Sequence, residues 1–212
     1  MAATEEDGLG ALRAAIGACR ICRDAPLGGP AFALPHEPNP VAVISTRARI
    51  LIAGQAPGLR VHDSSLPFND ASGNRLRDWL GVDRETFYDR DRFAIVPMGF
   101  CFPGYDWHGS DLPPRRECAP HWRAPVLSAM PQIELVLAIG HYAQRWHVGP
   151  HCPKSMSETV AGWRGYLGRN QGPAVLPLPH PSWRNTSWLK RNPWFEAEVL
   201  PTLRERVEKL IS

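Results

Sequence analysis

Four cysteines, a histidine held between prolines and a glycine loop behind an apolar run are the residues of this 212-residue sequence whose types and spacing suit chemistry. Cys19-Arg20-Ile21-Cys22 is a C-x2-C pair, which offers two thiolates to one metal centre from a single turn of chain. Cys101 and Cys118 stand 17 positions apart and flank a Pro/Gly-rich stretch. The residues alone leave three readings open. The four could hold an iron–sulfur cluster, which takes four thiolates. They could hold zinc, or be buried thiols that pack as small hydrophobes. Cys152, the odd fifth, reads as a plain thiol. His180 sits in Pro179-His180-Pro181-Ser182. A histidine in such a loop most often bonds locally, yet a fixed imidazole donor can also stabilise charge that develops in a reaction. Gly54-Gln55-Ala56-Pro57-Gly58 lets the backbone approach a ligand closely. The polar loop after it carries His62, Asp63, Ser64, Ser65 and the pair Pro67-Phe68.

These groups need elements to hold them. Ile50-Leu51-Ile52-Ala53 is short, apolar and β-branched, and predicts a buried strand that delivers the glycine loop. Leu76, Trp79 and Leu80 fall at helical spacing after Ala71-Ser72-Gly73-Asn74. Further strands are predicted at Phe93–Val96, Glu134–Ile139 and Ala174–Leu178, the last ending just before His180. Helices are predicted at residues 8–18, 115–130 (bent or interrupted by Pro120 and Pro125), 141–146 and 157–163. A last helix is predicted over 194–210, with a kink at Pro201. Four strands separated by helical segments predict an α/β fold: one domain over residues 1–212, with a central four-stranded parallel sheet flanked by helices on both faces. Ligands of such sheets bind beyond the carboxyl ends of the strands, where loops 55–70, 97–110, around 140 and 179–192 would gather.

Composition narrows the class. A hydrophobic content of 43% fits a globular protein, and no apolar run approaches the length of a membrane span. The start, MAATEEDG, is acidic and lacks a basic-then-apolar leader pattern, so a cytoplasmic protein without membrane contact is expected. The net charge of +3 permits nucleic-acid binding without requiring it. Twenty-two prolines predict many stiff loops, and long loops often carry function. No repeat and no linker divides the chain, and nothing suggests a dimer surface, so a monomer is expected.

The order of these motifs resembles the uracil-DNA glycosylase superfamily. GQAPG, eight residues, Pro67-Phe68, then Ser72-Gly73 and a helix is similar to its first motif, and His180-Pro181-Ser182 to its second. The match looks closest to the branch with G-E-A-P-G and P-F-x-G-x-x-G, whose members carry a four-iron, four-sulfur cluster. The resemblance spans roughly the first cysteine pair to the final helix, and it makes a [4Fe–4S] cluster on Cys19, Cys22, Cys101 and Cys118 the favoured reading, as a clamp between the N-terminal segment and the 101–118 loop. It implies that His180 donates a hydrogen bond to the departing base, that Phe68 stacks on that base, and that Gly54, Gln55, Ala56, Pro57 and Gly58 line the pocket through backbone groups. It also implies that the segment after His180 enters the minor groove, with Trp183 or Arg184 as wedge. Ser72, Ser182, Arg184, Asn185, Lys190 and Arg191 are then the DNA contacts.

Two positions depart from that pattern. Ala56 stands where the best-known relatives have a water-orienting aspartate, which leaves His62 or Asp63 to position water. Pro97 stands where the cluster-bearing relatives have a base-reading asparagine, which leaves Asn69, Asn74 or backbone amides near Phe68 to read the uracil edge. The segment between His180-Pro181-Ser182 and Arg191-Asn192-Pro193 also looks longer than in those relatives.

The expectation is a monofunctional DNA glycosylase that hydrolyses the N-glycosidic bond of deoxyuridine in DNA, releasing uracil and leaving an abasic site for base excision repair. No lysine stands out as a Schiff-base nucleophile. The alternative is a weakly catalytic or non-catalytic module that grips uracil-containing or abasic DNA. An unrelated enzyme binding a nucleotide phosphate at GQAPG lacks the P-loop lysine and the G-x-G-x-x-G spacing.

Overall fold

The run Ile50–Ala53 has no exposed side chain, and the molecule is built outward from it as strand β1. The computed structural model describes residues 2–212, with side chains described from Gly8 onward. Three further strands, β2 (Phe93–Ile95), β3 (Leu135–Ile139) and β4 (Ala174–Leu178), join β1 in one parallel sheet of order β2-β1-β3-β4. Ile50 pairs with Phe93 on one side and Leu135 on the other, and Leu135 pairs with Ala174. Parallel strands covered on both faces read as continuous apolar runs rather than alternating ones, which is why these segments are legible in the sequence.

Successive side chains of a strand point to opposite faces, so each strand feeds two cores. Ile50, Ile52, Leu137, Ile139, Leu176 and Leu178 pack on one side. They meet Leu76, Trp79 and Leu80 of helix α4 (Ala71–Leu80), with Phe195, Leu203 and Val207 from the C-terminal segment. Leu51, Ala53, Val136, Ala138 and Val175 face the other way. There they meet Leu9 and Ile16 of α1 (Ala2–Gly17), Trp122 and Val126 of α6 (Cys118–Ser128) and Ala143 of α7 (Gly140–Val148). Helix α4 is closed at both ends. Asp70 caps its first turn by accepting the Gly73 N–H, and Gly81 leaves it with a φ of 70°, which suits glycine.

Several elements depart from the sequence prediction. Ile21–Asp24 forms a single helical turn, α2, and residues 59–64 are a helix, α3 (Leu59–Ser64), where a polar loop is predicted. Arg84–Tyr88 forms α5, capped by the Asp83 carboxylate on the Thr86 N–H. Residues 157–163 divide into α8 (Met156–Ala161) and α9 (Trp163–Leu167) around Gly162. The predicted last helix is preceded by a short 3-10 turn, Trp183–Asn185, and by α10 (Thr186–Arg191). It then begins as a π-helical turn at Phe195–Val199 and continues as α11 (Leu200–Ile211). Pro201 is the second residue of α11 and directly follows the π-helical turn. Pro125 lies inside α6 without ending it. No helix among the described residues is long and apolar enough to cross a membrane.

Candidate active site

At the carboxyl end of β1 the chain turns through Gly54–Gly58, and α3 starts at Leu59. This turn is one wall of a hollow of about 570 Å³ that opens to solvent. Phe68, Asp70 and Ser72 come to it from the start of α4, Pro97 and Asp111 from the chain after β2, and His180 from the end of β4. Two loops more than a hundred positions apart therefore bring an aromatic ring and an imidazole to one cavity.

Phe68 is held in a costly conformation. Its φ of 54° is in the left-handed region, which costs a non-glycine residue on the order of 1–3 kcal/mol. The surroundings enforce it. A Cβ on Gly73 would lie 1.8 Å from the Phe68 carbonyl oxygen, so only glycine lets α4 begin there. A Cβ on Gly54 would lie 3.4 Å from the tip of the ring, so the floor beneath the ring is bare backbone. Phe87 meets the ring edge-on at 6.1 Å, and Tyr88 Oη donates to the Pro67 carbonyl at 2.9 Å.

His180 is half-buried. Burial lowers its pKa below the usual imidazole value; the Asp70 charge opposes this and that of Arg184 adds to it. The ring is accordingly neutral at neutral pH. Asn185 Nδ2 donates to the His180 carbonyl at 2.8 Å, and Arg75 donates to the Ser182 carbonyl at 3.0 Å, which ties the loop down on both flanks. Asp70 Oδ1 accepts from the Gly73 N–H at 2.9 Å and from Ser72 Oγ at 2.6 Å. Oδ2 makes no hydrogen bond among the described residues.

The other sequence-predicted residues fall in different places. His62 does not line the hollow. Its ring meets His36 edge-on at 4.4 Å beside Phe102, with Nδ1 buried and unpartnered, and burial lowers its pKa. Asp63, the next residue of α3, is exposed and also outside the hollow. Asn74 and Asn69 are outside it as well: Asn74 accepts from Arg77, and Asn69 accepts from Arg84 at 3.4 Å. Ser72 spends its hydroxyl on Asp70, and Asn185 spends its amide on the His180 loop. Trp183 is 76% exposed with the Arg184 guanidinium 6.0 Å from its ring centre, and Lys190 and Arg191 are exposed on α10.

Sequence reasoning missed Asp70 and Asp111. Asp70 was within reach, because an aspartate three residues before Gly73 is an N-cap signal. Asp111 had no local signal. It lies in a loop hairpin, bridged to Tyr105, whose tip carries Trp107 at 87% exposure.

Cys19, Cys22, Cys101 and Cys118 surround a second hollow of about 420 Å³, walled by Leu34, Pro38, Pro40, Phe100 and Trp122. Trp122 Nε1 donates to Cys19 Sγ at 3.2 Å, and the Phe100 N–H donates to Cys118 Sγ at 3.3 Å. Burial pushes the Cys101 and Cys118 thiols up to about 12, and each thiolate among these cysteines would raise its neighbours further. Among the described residues no three His, Cys, Asp or Glu side chains are gathered to hold one ion. Cys152 lies apart, with Sγ 3.7 Å from Thr159 Oγ1.

The family model of the uracil DNA glycosylase superfamily matches residues 41–204, and the chain belongs to that superfamily. The matched span includes the glycine turn, Phe68 and His180. Among solved structures, the chain is similar to the solution NMR structure of a "putative Uracil DNA glycosylase" from Methanosarcina acetivorans. Identity is 16%, the TM-score is 0.46, and the match covers 79% of this chain and 95% of the other.

Proposed function

We propose that this protein is a monofunctional uracil-DNA glycosylase. The observation that carries the reading is the shared hollow, in which Phe68, His180 and the glycine turn face one another. A base must leave the duplex to be reached, at a cost of a few kcal/mol, and stacking on an aromatic ring recovers about 1–3 kcal/mol. Phe68 supplies that ring. As the C1′–N1 bond breaks, negative charge grows on uracil and positive charge on the sugar. The neutral His180 imidazole donates to the base oxygen that takes up the negative charge. Fixed before the reaction, such a donor is worth about 3–4 kcal/mol.

Asp70 takes the role sequence reasoning gave to His62 and Asp63. Its Oδ1 is fixed by the Gly73 N–H and Ser72, which aims Oδ2 for a water that adds to C1′. Its negative charge also favours the developing sugar cation. The base leaves with the bonding pair and is then protonated. Trp183 is suited to fill the space left by the extruded nucleotide. Arg184, Lys190 and Arg191 are suited to hold phosphates, and a neutral Ser182 adds a contact of the same kind.

The four cysteines fit a [4Fe–4S] cluster. They converge on one apolar hollow, and two N–H groups already point at their sulfurs, as hydrogen bonds to cluster sulfurs do. Such a cluster would supply structure, joining the segment at Cys19 and Cys22 to the chain between Cys101 and Cys118. Iron analysis and visible absorption separate it from zinc.

The activity test is incubation with a uracil-containing oligonucleotide followed by alkali. Cleavage at the uracil is expected, and His180→Ala should lower the rate by about 100- to 1,000-fold without altering the melting temperature. Tight binding with no base release by the wild type would instead establish a binding module.

A further inference from the structure

Pro97 lines the hollow but has no side-chain donor, so a uracil seated between Phe68 and His180 needs another group to recognise its edge. The inference rests on the glycosylase reading. We propose that Asp111 reads the base edge opposite His180, its carboxylic acid giving an O–H to one carbonyl oxygen and taking the ring N–H on its own carbonyl.

Position comes first. Asp111 and His180 both line the hollow, and they reach it from the two edges of the sheet order, Asp111 after β2 and His180 after β4. The two carbonyls of uracil lie on either side of its N3–H, so groups approaching from opposite sides meet different carbonyls. Gly58 is its neighbour on the glycine turn: a Cβ there would be in ordinary contact with Asp111 Oδ2, at 3.6 Å. Among the described residues the Asp111 carboxyl makes no hydrogen bond or ion pair, so both its oxygens are available. It is nonetheless firmly carried. The hairpin bridges Tyr105 to Asp111, the Leu112 N–H donates to Gly104 at 2.9 Å, and the Asp106 carboxylate accepts the N–H groups of His108 and Ser110 at 2.9 and 2.8 Å.

The chemistry follows from the donor inventory. A carboxylic acid presents one O–H and one C=O side by side, which matches the O4 and N3–H of uracil. An ionised carboxylate offers only acceptors and would face O4 with a lone pair. The charged and titratable groups facing Asp111 are Asp70 before α4, and Arg184 and His180 beyond β4. Burial raises the Asp111 pKa, Arg184 opposes this, and Asp70 adds to it. Asp111 is exposed at the mouth of the hollow, and a base seated there covers it and shifts the balance further toward the acid.

The test is single-turnover uracil release against pH for wild type, Asp111→Ala and Asp111→Asn, with melting curves for each. The wild-type rate should fall as pH rises through the Asp111 titration. Asp111→Ala should lose about 10- to 100-fold, the worth of a two-point edge contact. Asp111→Asn, which keeps donor and acceptor without titrating, should recover most of that loss and abolish the alkaline fall. Three equal rates would overturn the inference alone. Asp111→Asn as weak as Asp111→Ala, with a wild-type rate that falls toward acid, would overturn it in favour of a base acting on water. A wild type that releases no uracil overturns the glycosylase reading, and this inference with it.

Discussion

The hollow beyond β1 and the hollow between the cysteines are built in opposite ways. The one beyond β1 holds Asp70, Asp111 and His180 with a strained Phe68, and it stands open. The one between the cysteines is walled mainly by apolar side chains, with the Arg115–Glu117 ion pair on one side and two N–H groups turned toward sulfur. The first stores strain and charge where a substrate would sit. The second joins segments far apart in sequence. The contrast teaches that damage to the first should remove activity and leave the fold, whereas damage to the second should remove stability and affect activity only through folding.

After His180→Ala, the largest effect should come from Gly73→Ala. The added methyl cannot coexist with the Phe68 carbonyl at 1.8 Å, so α4 or Phe68 must move. Overpacking of this kind costs about 1–3 kcal/mol of stability. A displacement on the order of 1 Å of a positioning group can cost about 100-fold in rate. Base release should therefore fall by about two orders of magnitude in protein that still melts cooperatively. If the rate tracked the folded fraction alone, the open hollow would be no more specialised than the cysteine one.

Cys101→Ser probes the other side. Loss of bound iron is expected, with a lower melting temperature, and the folded fraction should keep base release within about tenfold of wild type. Unchanged iron and melting temperature would remove the clamp. A rate loss as deep as that of His180→Ala in well-folded protein would erase the distinction between the two hollows.

The same contrast explains what was legible in the sequence. The strands were, because Ile50–Ala53, Leu135–Ile139 and Ala174–Leu178 are buried on both faces and so are apolar at almost every position. Phe68, His180 and the glycine turn were legible as motif residues, because their spacing along the chain is their signature. The placement of His62 was not. Helix α3 turns Val61 toward the hollow and the next residue toward His36, a helical phase that a polar loop assignment cannot supply. Asp111 was not legible because its place depends on a hairpin closed by backbone contacts at Tyr105 and Gly104, which leave no periodic trace. The split C-terminal helix was hidden for a similar reason: Phe195, Val199, Leu203 and Val207 keep their apolar stripe through a π-helical turn that sequence spacing does not reveal.

The smallest effect concerns the buried support beneath the open hollow. Arg123 is 1% exposed and donates to the carbonyls of Val96, at 2.8 Å, and Pro97, at 3.1 Å, which holds the chain where it lines the hollow. Its Nη2 donates to His147 Nε2, and Arg169 donates to the His147 carbonyl at 3.0 Å. Burial, then the charges of Arg123 and Arg169, hold the His147 pKa well below 6.5. The folded protein thus keeps this imidazole neutral where the unfolded chain takes up a proton. Stability from this group is full above pH 6.5 and falls as pH drops below it. The slope is about 1.4 kcal/mol per pH unit for one such group. Chemical denaturation from neutral to mildly acidic pH should show that slope, and His147→Gln, which can still accept from Arg123, should reduce it by the share of one imidazole. A slope unchanged in His147→Gln would mean that the histidine titrates in the folded state, and that the network under Pro97 is looser than its burial requires.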